Sequence, residues 1–152
     1  MVMALFPSLY RVDQLALFEQ QKSLLSEQFA ALFTVVFFCA EWCAVCRDFS
    51  PVCRKAATYY REQYTDTLFM LLDIEDDEAF TGALTIDNFP MMAVFRDSDL
   101  IHFSAIRARE DAIHNTLASS RKTSRTLGGH PELSTLRKIL FAHAHRQETT
   151  AL

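Results

Sequence analysis

The stretch Val35-Val36-Phe37-Phe38-Cys39-Ala40-Glu41-Trp42-Cys43-Ala44-Val45-Cys46 constrains this chain more than any other. A β-branched and aromatic run of that length reads as a buried strand. It stops abruptly at a tryptophan and two cysteines spaced C-x-x-C, where the next helix begins. A helix N-terminus carries about half a positive charge and unpaired N–H groups, so a thiol held there ionises more readily than a free one. Cys43 is placed to be that thiol. Cys46 lies one turn inside, close enough to attack a mixed disulfide formed on Cys43 and release it as an intramolecular Cys43–Cys46 bond. Two other readings compete: a pair of unreactive buried thiols, and a zinc site built from Cys39, Cys43, Cys46 and Cys53. Along a helix Cys46 and Cys53 stand about 10 Å apart, too far for two thiolates sharing one tetrahedral ion. No metal is therefore expected, and Cys39 and Cys53 are expected to pack as small hydrophobes.

At these residues the chain resembles the thioredoxin family. Phe38, Ala40, Glu41, Trp42, Cys43 and Cys46 stand as they do in that family's active-site segment, and Pro51 matches the proline that kinks its active-site helix. Leu72-Asp73-Ile74-Glu75 is similar to the family's third strand and its acidic end. Ile86-Asp87-Asn88-Phe89-Pro90 is similar to the segment leading into the cis-proline beside the dithiol. The resemblance covers roughly residues 10–106, and its specificity lies in the co-occurrence of these parts in order. It implies a thioredoxin-like three-layer α/β/α fold with a central mixed sheet. It also implies a thiol-disulfide oxidoreductase with Cys43 as nucleophile and Cys46 as resolving thiol. Trp42, Phe89 and Pro90 are then expected to bind substrate, the backbone of Phe89 pairing with an extended partner strand. The implied partners are protein disulfide substrates and a reductase as electron donor. No cofactor beyond the dithiol is implied, and the alternative is an adaptor or chaperone-type module whose dithiol is vestigial or regulatory.

The family pattern is also broken in places. Ala44-Val45 replaces the usual Gly-Pro between the cysteines, which alters how well the reduced thiolate is stabilised. The family's buried aspartate falls at Phe37 and its companion lysine at Leu71. Losing both members of a buried pair is tolerated where losing one is costly. With neither present, mixed disulfides on Cys43 are expected to resolve slowly unless water or a partner supplies the base. The glycine expected after the last strand is replaced by Ile106 or a neighbour.

Hydrophobic periodicity predicts an edge strand at Tyr10-Arg11-Val12, an N-cap at Asp13 and an amphipathic helix from Gln14 to Phe33. Strand Thr34 to Cys39 and a helix from Cys43 to about Tyr64 follow. Next come a central strand from Leu68 to Ile74, a short helix from Asp77 to Leu84, and a hairpin, Met91 to Phe95 and Leu100 to Ile106, turning at Asp97-Ser98-Asp99. Beyond Ile106, helices are predicted at Glu110 to Ser119 and Pro131 to His145. The second is favoured as the helix that closes the fold, making 107–127 an insertion; an appended last helix is the alternative. The whole is taken as one domain with a core at about 10–106 and a helical extension or insertion at about 107–152.

Net charge is −4, but residues 1–106 hold 7 Lys+Arg against 15 Asp+Glu and residues 107–152 hold 8 against 4. The basic tail is expected to dock on its own domain or to be solvated, and nucleic-acid binding is not expected because acids dilute the basic residues and aromatics are nearly absent there. Arg121, Lys122 and Arg125 are expected to be solvated or frayed, and His143 and His145 to mark a solvated helix end. Clustered cysteines suit a site in a reducing compartment better than a disulfide framework, so a cytoplasmic location is expected. The first residues lack the basic start and small-residue cleavage site of a signal peptide, and no run approaches the length of a membrane span.

Overall fold

The computed structural model describes residues 7–25, 32–64 and 66–150. Every side chain of strand β2 (Phe33–Cys39) is buried. A strand buried on both faces needs a neighbour on each edge and cover on each side. β3 (Thr67–Asp73) pairs with it in parallel and β4 (Met91–Arg96) antiparallel. With β1 (Leu9–Tyr10) and β5 (Asp99–Ala105) the sheet runs in the order β1-β3-β2-β4-β5. The β4–β5 hairpin closes through Asp97-Ser98, with Arg96 opposite Asp99 and Asp97 at φ 51, a left-handed conformation that a short polar side chain tolerates.

Alternation along the strands sends odd and even residues to opposite faces. Phe33, Val35, Phe37 and Cys39 join Phe69 and Leu71 in one core, covered by α2 (Ala44–Gln63) and α4 (Glu110–Arg121) through Phe49, Ala56, Tyr60, Ile113 and Leu117. Val36, Phe38, Met70 and Leu72 face the other core, covered by α1 (Leu15–Leu25) and α6 (Leu136–Thr150) through Leu15, Phe18, Leu136 and Leu140. The short helices α3 (Glu78–Thr81) and α5 (Pro131–Ser134) complete the cover. This is the expected three-layer α/β/α fold with a mixed sheet.

Several local expectations are corrected. Asp13 does not cap the first helix: it lies inside a 3-10 turn, Val12–Gln14, whose N-cap is Arg11, with the Arg11 N–H donating to Gln14 Oε1 at 2.8 Å. Val12 belongs to that turn, so the edge strand is Leu9–Tyr10. Phe33 is the first residue of β2 rather than the last of a helix, because its backbone is held in register with Thr67 and Arg96; the part of the predicted helix at 26–31 lies outside the described residues. The last predicted helix is interrupted at Thr135, which separates α5 from α6. The helix packed beside α2 is α4, not α6, so 107–127 is no insertion: it carries Ile113 and Leu117 into the core under the C-x-x-C helix. The later helix, which crosses α1 on the opposite face, is the appended one.

Arg121 is not a frayed residue. Its guanidinium forms a two-pronged pair with Asp66, Nη1 to Oδ1 at 3.1 Å and Nη2 to Oδ2 at 2.8 Å, and lies over the rings of Phe33 at 4.6 Å and Tyr64 at 4.3 Å. It ties the end of α4 to the starts of β2 and β3. Burial pushes the Asp66 carboxyl up, but the hydrogen bonds from Arg121 and Thr67 outweigh it and hold the acid below its usual value. A depressed carboxylate stabilises the fold above its unfolded pKa of about 3.9, and that stabilisation fades as pH falls through the lower folded value. Arg121→Ala is therefore expected to cost about 1–3 kcal/mol in urea unfolding at pH 7. The gap from wild type should narrow steadily below about pH 4, where the acid takes up its proton.

Candidate active site

Strand β2 ends at Cys39, and a turn closed by Cys43 N–H donating to Ala40 C=O at 3.0 Å reverses the chain into α2. Cys43 is the N-cap of α2, with extended backbone angles, and is half-buried; Cys46, one turn on, is only 4% exposed. The reason lies in helix geometry. Residues 46, 49, 53, 56 and 60 share the face that α2 buries, whereas position 43 precedes the first turn, where backbone N–H groups have no partner within the helix.

Electrostatics separate the two thiols. The Cys46 thiol hydrogen-bonds the Cys43 sulfur, the amides of Cys46 and Val45 point at it, and Arg47 adds positive charge; together they hold Cys43 below the ordinary thiol range. Burial pushes Cys46 the other way, and the amide of Ala40 only partly opposes it. Cys39 and Cys53 are buried in the same core and pushed up by desolvation. They pack as apolar residues, yet Cys39 also hydrogen-bonds Cys46. Strand parity, which sends position 39 to the same face as 37, is the sequence signal that could have found this contact. All four cysteines are free thiols in this structure.

Trp42, 61% exposed, and the exposed Val45 flank Cys43 with apolar surface. The Trp42 ring meets Phe89 edge to face at 5.6 Å between centroids, which brings the C-x-x-C turn and the 86–90 segment together. The Phe89–Pro90 bond is cis, Pro90 is buried, and its carbonyl accepts from Ile106 N–H at 3.1 Å. Among the described residues the backbone N–H and C=O of Phe89 take no hydrogen bond. Glu41 is exposed. Phe37 has no exposed surface; its ring stacks on Phe69 and meets Phe49 edge to face at 5.5 Å, with Leu71 as its register partner on β3. Both positions of the expected buried ion pair are thus filled by apolar contacts. His143 does not mark a helix end either: α6 continues past it, and its ring lies edge-on to Phe80 at 5.0 Å. No helix among the described residues is long and apolar enough to cross a membrane.

A five-stranded mixed sheet between helical layers, carrying a C-x-x-C at a helix start and a cis-proline segment against its tryptophan, defines a thioredoxin-like architecture. The family model described as Thioredoxin matches residues 18–119, and the chain belongs to the thioredoxin family. That match extends into α4 as far as residue 119, in agreement with the place of α4 beside α2. The chain is 29% identical over 90 residues to "Putative thioredoxin 2" of Streptomyces coelicolor, a match covering 59% of this chain. The chain spans 64% of the length of that curated relative. Among solved structures, a single-residue mutant of thioredoxin from Halobacterium salinarum superposes with a TM-score of 0.55 at 18% identity, covering 79% of this chain and 97% of that one. Fasciola hepatica thioredoxin does so with a TM-score of 0.51 at 20% identity, covering 68% and 93%. At these identities the likeness is one of fold.

Alkylation with limiting iodoacetamide should modify Cys43 first, with a pH midpoint below that of a free thiol. The hydrogen bond from Cys46 does most to lower the Cys43 thiol, so Cys46→Ala should move that midpoint to higher pH; peptide mapping by mass spectrometry reads both outcomes.

Proposed function

We propose that this protein exchanges disulfides with protein substrates through Cys43 and Cys46. The observation that carries the proposal is the placement of the two thiols: one half-exposed at the helix start, where the first amides lack partners, the other buried one turn behind it. In the reducing direction the Cys43 thiolate attacks a substrate disulfide, expelling one substrate sulfur as thiolate and leaving a Cys43–substrate mixed disulfide. Cys46 then gives up its proton and attacks the Cys43 sulfur. The second substrate sulfur departs with the electron pair of the broken bond, so the substrate gains two electrons and the protein holds a Cys43–Cys46 disulfide. A dithiol reductant, in the cell a reductase, returns the pair to the free thiols.

In this proposal Trp42, Val45 and Phe89 form the apolar rim against which the partner settles, and the unused backbone groups of Phe89 pair with an extended segment beside the sulfurs. The chemistry needs no cofactor beyond the two thiols, and it suits a reducing compartment such as the cytoplasm.

Reduction of insulin disulfides in the presence of dithiothreitol is the direct test. The wild type should accelerate it, Cys43→Ser should abolish the acceleration, and Cys46→Ser should accumulate the mixed disulfide as a covalent adduct. No acceleration by the wild type, with retained binding of an extended peptide that Trp42→Ala abolishes, would instead favour an adaptor that uses the same rim without exchange.

A further inference from the structure

Burial raises the Cys46 thiol, so the resolving step needs a group to take its proton, and position 37 offers only a phenyl ring. One step further along the same pair of strands, on the same face, the register brings together a different couple: Cys39 on β2 and Asp73 on β3. In-register neighbours on adjacent strands stand about 4.8 Å apart, and residues two apart share a face. Cys39 and Asp73 therefore follow Phe37 and Leu71 toward the dithiol end of the sheet. Asp73 is 7% exposed, and among the described residues it is the one charged side chain in the buried class. Its Oδ1 accepts the N–H groups of Glu75 at 2.9 Å and Asp76 at 3.1 Å; its Oδ2 accepts no hydrogen bond from the described residues. Cys39 and Cys46 belong to one buried cluster, with the turn at 40–43 holding the end of β2 against the start of α2.

We propose that Asp73, acting through the Cys39 thiol, accepts the proton that Cys46 releases when it resolves the mixed disulfide, a part that falls to β3 because β2 carries Phe37. The inference rests on the disulfide-exchange function proposed above. As the Cys46 sulfur bonds to the Cys43 sulfur, the bond from Cys43 to the substrate breaks and its electron pair leaves on the substrate sulfur. The Cys46 proton moves to Cys39 while the proton of Cys39 moves to Asp73, which later returns it to solvent. Cys39 is unchanged in sum. The groups facing this path are Cys43 ahead of α2, Cys46 and Cys53 on α2, Glu75 and Asp76 in the turn after β3, and Asp77 before α3, with Arg11 at 3.6 Å from Asp77.

Single-turnover reaction of the reduced protein with dithiobis(nitrobenzoate) separates the two steps: the first equivalent of chromophore reports attack by Cys43, and the second reports resolution by Cys46. Asp73→Asn keeps an oxygen to accept the turn amides but cannot take a proton as a carboxylate does. It should leave the first release unchanged and slow the second by on the order of 10²-fold at pH 7. Cys39→Ala should slow the second release likewise, and Cys39→Ser should restore it; this pair decides the matter if Asp73→Asn does not fold. An Asp73→Asn protein with wild-type resolution overturns the inference, as does one that loses attack and resolution equally, or a Cys39→Ala protein that resolves normally. A wild type that releases no first equivalent from Cys43 overturns the disulfide-exchange function itself, and this inference with it.

Discussion

The fold depends on β2 being buried on both faces. A strand of this kind is stable only in the middle of a sheet, with helices over both sides, and its own termini are the places where the chain can approach solvent. Its far end is where Cys39, the 40–43 turn and the N-terminus of α2 meet. The dithiol therefore sits where three constraints coincide: a strand that must end, a helix whose first amides lack partners, and a core beneath that admits Cys46 but leaves Cys43 at the edge. The near end of the same strand is secured differently. Phe33 lies under the guanidinium groups of Arg96 at 5.3 Å and of Arg121, and Arg121 in turn grips Asp66 just ahead of β3.

Filling positions 37 and 71 with phenyl and isobutyl groups changes what the core asks of the site. A buried carboxylate and ammonium need each other, and either alone is costly to bury. Phe37 and Leu71 instead add a ring cluster with Phe49 and Phe69, which stabilises the sheet beneath α2 by contact rather than charge. The polar work near Cys46 is left to sulfur. Cys39 is buried like a hydrophobe but retains a donor and an acceptor, and its backbone is in register with Asp73 at the acidic end of β3.

The C-terminal segment is more than an exposed basic tail. Arg137 on α6 donates from Nε to the hydroxyl of Thr34, a fully buried residue of β2, at 3.0 Å, and its guanidinium lies over Phe141 at 4.5 Å. Burial lowers the pKa of that arginine. Two of the cations that make this region basic are thus used to fasten helices α4 and α6 to opposite faces of the sheet at the start of β2, which is the docking of the tail on its own domain in residue terms.

Strand and helix types, the C-x-x-C at a helix start and the loss of the buried ion pair were legible in the sequence, because each rests on local pattern: a continuous apolar run, a 3.6-residue stripe, a residue type at a known spacing. The element edges at Asp13 and Phe33 were not, since backbone pairing with Thr67 and Arg96 outweighs helical periodicity only once the strands are assembled. Sequence alone also left two amphipathic helices competing for the face beside α2. Ile113 and Leu117 sit there, and Leu136 and Leu140 on the opposite face, as a consequence of where β5 ends in the assembled sheet. The sequence by itself determined that two thiols share one helical turn. Only the tertiary structure decided which groups surround them, because the core that buries Cys46, from Cys39 on β2 to Leu71 on β3, comes from separate strands that meet through long-range hydrogen bonding and burial.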